Sequence, residues 1–113
     1  MRVIEEVMDI KELVKIGTEG FGDMVKAVVD VEKKIMAVGG ELHSDEEAVL
    51  LSSGSKQENL WGINLYPKKK DEEFIEFDSV INLKPSQGNR SRGIKSPKIQ
   101  KKIKEIVGKL IKA

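Results

Sequence analysis

A chain of 113 residues is long enough for one hydrophobic core and too short for two. It has no cysteine, which excludes disulfides, thiolate catalysis and cysteine-based metal sites, and so few aromatic residues that the core must be aliphatic. The net charge is only +1, yet residues 84–113 hold ten Lys or Arg and one acid, Glu105, whereas residues 1–83 hold ten Lys or Arg and eighteen acids.

In chain order, residues 2–5 (RVIE) predict a short strand or extended lead-in. Asp9 opens a helix with Ile10, Leu13 and Val14 as its apolar stripe and Glu12 in the capping-box position. Gly17, Gly20 and Gly22 are expected to break it, with TEGFG as a loop. From Met24 the period changes to two, placing Val25, Ala27, Val29 and Val31 on one face of a strand and Lys26 and Asp30 on the other. A charged turn at Glu32–Lys34 leads into IMAV, the return strand of a hairpin, which Gly39-Gly40 ends. Ser44, followed by Asp45, Glu46 and Glu47, reads as the cap of a second helix, with Glu47 reaching back and the acids facing the positive helix end.

LWGINLY then predicts a strand with Trp61, Ile63 and Leu65 on one face and Gly62, Asn64 and Tyr66 on the other. Pro67 ends it, KKKDEE is a solvated turn, and FIEFDSVINLK is the hairpin partner. In that strand Ile75, Phe77, Ile81 and Leu83 are expected on the core side and Glu76, Asp78, Asn82 and Lys84 on the other. After the polar loop SQGNRSRG comes an amphipathic helix. Ser96 caps it, Pro97 takes its first position, and Ile99, Ile103, Ile106, Val107, Leu110 and Ile111 form one wide stripe. Gly108 costs about 1 kcal/mol relative to Ala, so the last turn frays unless packing holds it. The sum is a single domain over residues 1–113 of α+β class. It should have a mostly antiparallel sheet of four to five strands and two to three helices packed on one face, including the C-terminal amphipathic helix.

The start of the chain mixes acids with apolar residues and lacks the apolar stretch of a signal peptide, and no apolar run approaches a membrane span. The cytoplasm is therefore the expected compartment, with no membrane partner. Three constellations carry chemistry. In SQGNRSRG (residues 86–93), Arg90 and Arg92 offer planar guanidinium forks for phosphate or carboxylate, and Asn89 and Ser91 offer orienting hydrogen bonds. The loop lacks the spacing of a P-loop, and its arginines have a plainer use in pairing with the acidic remainder of the domain. GGELHSDEE (residues 39–47) places Glu41 and the only histidine, His43, together with Asp45. That set suggests a divalent-metal site or a general base, against the simpler reading of a helix start beside a structural histidine. Asn64, Tyr66, Asp78 and Asn82 would share the polar sheet face near the point where the arginine loop departs.

With GGELH, LWGINLYP and KPSQGNRS in hand, the chain resembles a small prokaryotic family of uncharacterised proteins, a domain of unknown function, in which such runs recur in this order. The resemblance covers most of residues 24–107. It implies a shared small fold and carries no activity. The residues to test within its runs are Glu41, His43, Asn64, Asn89, Arg90, Ser91 and Arg92. Lys84 stands where that pattern has Arg.

The leading expectation is a binding domain for an anionic partner, RNA or a phosphorylated small molecule, through Asn89, Arg90, Ser91 and Arg92, with Asn64 and Asn82 as a polar floor. The alternatives are a small hydrolase or metal-assisted enzyme using His43 and Glu41, and a structural or oligomerisation unit. No residue pattern indicates a cofactor. Residues 84–113 lack the aromatics that stack on single-stranded bases, which leaves backbone electrostatics as the route to RNA.

Overall fold

The computed structural model describes residues 1–113. Seven strands and three helices follow one another as β1 (Arg2–Ile4), β2 (Met8–Asp9), α1 (Ile10–Glu19), β3 (Val25–Asp30), β4 (Ile35–Val38), α2 (His43–Ser52), β5 (Leu60–Leu65), β6 (Ile75–Glu76), α3 (Pro97–Leu110) and β7 (Ile111–Lys112). The main sheet has the order β1-β4-β3-β5-β6 and is antiparallel throughout. A two-stranded parallel ladder of β2 and β7 ties the start of the domain to its end. The fold is α+β, and no helix is long and apolar enough to cross a membrane.

Alternation along β3 and β5 sets up two unequal cores. Val25, Ala27 and Val29 pair in register with Leu65, Ile63 and Trp61, and all six side chains enter one cluster. Leu13 of α1 and Ile103, Ile106, Val107 and Leu110 of α3 cover it, so these two helices share one face of the sheet. The third helix, α2, lies on the opposite face, where Val28, Ala37, Leu50 and Leu60 form a second, small cluster. The same face carries the polar register Lys26↔Asn64↔Glu76 across β3, β5 and β6.

Several local expectations hold. Ser96 Oγ accepts from the Ile99 amide with Pro97 at the first helical position, and packing of Val107 and Leu110 carries α3 past Gly108. Others are corrected. Gly17 lies inside α1, which runs to Glu19; Asp9 accepts from the Lys11 amide while Glu12 pairs with Arg2. Helix α2 begins at His43 with Leu42 as its cap residue, and the Ser44 hydroxyl makes no cap bond. It is Glu46 that turns back, accepting from the Gly40 amide at 3.0 Å.

The long strand expected over 74–84 is the largest correction. Only Ile75 and Glu76 pair with β5. Beyond them the chain crosses to the α2 face, where Val80–Asn82 form a 3-10 turn. Ile75 and Phe77 pack on the large cluster, Ile81 packs on the small one, and Leu83 is exposed. The crossing is possible because position 62 is glycine: a Cβ there would stand 2.5 Å from both Cβ and Oγ of Ser79.

Candidate functional site

The SQGNRSRG loop owes its shape to two buried asparagines. Where β6 stops, Asn82 takes the place of a neighbouring strand. Its Oδ1 accepts from the Gly62 amide at 2.8 Å, and its Nδ2 donates to the carbonyls of Gly62 and Arg92 at 2.9 Å each. Asn89 holds the loop from inside, donating to the carbonyls of Asn82, Ser91 and Gly93 and accepting from the Lys95 amide. The backbones of Lys84 and Asn89 bridge, and Gly88 supplies the left-handed turn between them with φ 77°. Both amides are thus committed to backbone and offer a ligand nothing. Lys84 is a clamp too: its ammonium donates to the Gln57 carbonyl and stands 5.3 Å above the Trp61 ring.

The two arginines have different surroundings. Arg92 Nε donates to Asp78 Oδ1 at 2.7 Å, and this pairing holds the Asp78 carboxyl below its usual range. Arg90 makes no ion pair. With Ser91, Lys95 and Gln100 it lines an open hollow of about 580 Å³ whose apolar wall is Phe77 and Ile94. Gln100 is fixed there by donating to the Ile94 carbonyl at 2.6 Å.

Asp78 links this loop to the polar face under α2. Asn64 Nδ2 donates to Glu76 Oε1 at 2.9 Å, and the Tyr66 hydroxyl donates to the same oxygen. His43, the first residue of α2, is buried against this row, its Nε2 donating to the Ile63 carbonyl at 2.8 Å. Burial pulls the His43 pKa below 6.5; the Ile63 carbonyl partly offsets that, and Lys26 adds to it. The imidazole is therefore neutral near pH 7. Of the charged and ring side chains here, Arg92 contacts Asp78 directly, whereas His43 is held by the Ile63 carbonyl.

A family model described as "Protein of unknown function (DUF5674)" matches residues 2–110. The chain belongs to this family. No curated protein and no solved structure matches the chain. Because the family description names no activity, its members' chemistry has to be read from the side chains themselves.

Glu41 is exposed and lines a cleft of about 380 Å³ between the end of α1 and the Gly39–Leu42 segment. No three His, Asp or Glu side chains are grouped closely enough to hold a metal ion. Three residues, Lys26, Lys95 and Glu46, have surroundings that the sequence does not show. Lys26 and Lys95 read as ordinary strand and loop lysines, because nothing local shows what they will face. Glu46 read as one of the helix-start acids, with Glu47 as the one reaching back, yet Glu46 is fully buried and its pKa is pushed up to about 8 by burial. The only sequence signal for it is the Gly39-Gly40 pair: a Cβ at Gly40 would stand 2.8 Å from Glu46 Cγ.

Proposed function

We propose that this domain binds phosphate-bearing partners, RNA or a phosphorylated small molecule, at the hollow in front of the SQGNRSRG loop. The observation that carries the reading is Arg90, an exposed guanidinium with no acidic partner, mounted on a loop that Asn82 and Asn89 lock in place. With the loop backbone already fixed, binding has only the side chain to order, and a guanidinium matches two phosphate oxygens at once. Lys95 adds a second positive charge at the rim, Ser91 a hydroxyl, and the excess of bases over residues 84–113 a favourable long-range field. Arg92 serves in part as the Asp78 partner, and Asn64, Asn82 and Asn89 serve as supports.

A hydrolase built on His43 and Glu41 is less well supported. The His43 ring donates to a main-chain carbonyl, which is the geometry of a structural histidine. The test is binding of a short single-stranded RNA and of a ribose phosphate over a range of salt, with wild type, Arg90→Ala and Arg92→Ala. Arg90→Ala should weaken binding about tenfold and flatten the RNA salt slope by about 0.7, one phosphate contact's share. An Arg90→Ala protein that binds both probes as wild type does would overturn the proposal.

A further inference from the structure

The Gly39–Leu42 cleft is separate from the arginine hollow and shares no residue with it. Its volume, about 380 Å³, is in the range of small-molecule sites. Ile16, Phe21, Met24 and Leu42 make its walls apolar, and Phe21 and Leu42 remain 49% and 55% exposed at the rim. Lys26 and Glu41 both line this cleft, and their side chains form no ion pair. The Lys26 ammonium is placed by the Phe21 ring, 5.3 Å from its centroid.

Two acids whose charge Lys26 influences, Asp78 and Glu46, are already engaged. Asp78 is paired with Arg92 at 2.7 Å. Glu46 is fully buried behind Gly40, and with its pKa at about 8 it is mostly protonated at neutral pH. One oxygen of Glu46 holds the Gly40 amide, fixing the cleft wall. What remains is one ammonium without an ion pair and two carboxylates, Glu19 and Glu41, without one, on a largely apolar lining. The ligand chemistry that completes both is a zwitterion with an apolar body.

We infer that this cleft binds an apolar α-amino acid, its carboxylate on Lys26, its ammonium on Glu41 and its side chain against Phe21, Met24 and Leu42. Glu19, also on the rim, adds a second negative charge on the ammonium side.

The test is an NMR titration of the ¹⁵N-labelled full chain with L-phenylalanine, phenylacetate and phenethylamine. Phenylalanine should shift the amides of Phe21, Gly39, Gly40 and Leu42 and bind at least about tenfold tighter than either half-molecule, about one charge-assisted hydrogen bond. Lys26→Met should abolish its advantage over phenethylamine, and Glu41→Gln its advantage over phenylacetate. Glu41 is exposed, so that variant keeps the fold and remains decisive if Lys26→Met does not fold. No saturable binding, equal affinity for all three probes, or shifts confined to residues 88–95 would each overturn the inference. The last outcome would still leave the phosphate reading to its own test.

Discussion

Among individual residues, Asn82 shows how one side chain can replace an element. It satisfies both backbone groups of Gly62 that face the side where β6 has ended, and it helps to hold the end of the arginine loop through the Arg92 carbonyl. Its replacement leaves the buried amide and carbonyl of Gly62 without partners, while the Arg92 carbonyl keeps the Ser79 amide. Asn82→Ala should therefore cost about 2–4 kcal/mol, read as a lower urea midpoint, and should loosen Arg90 along with the loop. A loss below about 0.5 kcal/mol would mean that water fills the gap and the amide is dispensable. An Asn in mid-sequence with apolar neighbours was legible as unusual, and was read as a polar floor for a ligand. Its true partners lie twenty and ten residues away, and no local pattern contains them.

Elements with strong internal periodicity were legible as such. The stripe from Ile99 to Ile111 and the Ser96-Pro97 start define α3 without any help from the rest of the chain. Strands β3, β4 and β5 followed from alternation and from the turns that bound them. The segment after Ile75 failed because FIEFDSVINLK alternates well enough for a strand, whereas the side chains obey a change of sheet face at Asp78–Ser79. That crossing depends on Gly62. Gly62→Ala should displace Ser79 and the turn behind it, destabilise the domain by about 1–3 kcal/mol, and reduce hydrogen-exchange protection at Ser79 and Asn82. Equal protection in the variant and wild type would show that the turn is held from elsewhere.

For the molecule as a whole, two buried titratable groups under α2 act on stability in opposite directions. Glu46 holds its proton up to about 8 when folded, against 4.5 when free, so the folded state binds the extra proton between those values. Stability through this group falls as pH rises across that interval. His43 is lowered from 6.5, so the unfolded chain binds the extra proton on acidification and stability falls as pH drops below 6.5. The two slopes oppose one another below 6.5, and between 6.5 and about 8 Glu46 acts alone. Urea unfolding should show wild type losing stability from pH 6.5 to 8, and Glu46→Gln, which can still accept from Gly40, losing much less over the same range. Parallel curves would show that Glu46 is not the group responsible. The sequence by itself determined the α+β class, the aliphatic core, the helix that closes the domain and the basic loop before it, because periodicity, capping and composition are local quantities. Only the tertiary structure decided that Asn82 and Asn89 are supports, that Arg92 meets Asp78 while Arg90 stays free, and that Lys26 and Glu41 share a cleft. Those facts depend on which distant backbone groups and charges the sheet brings together, and burial and pairing are not properties of neighbours in sequence.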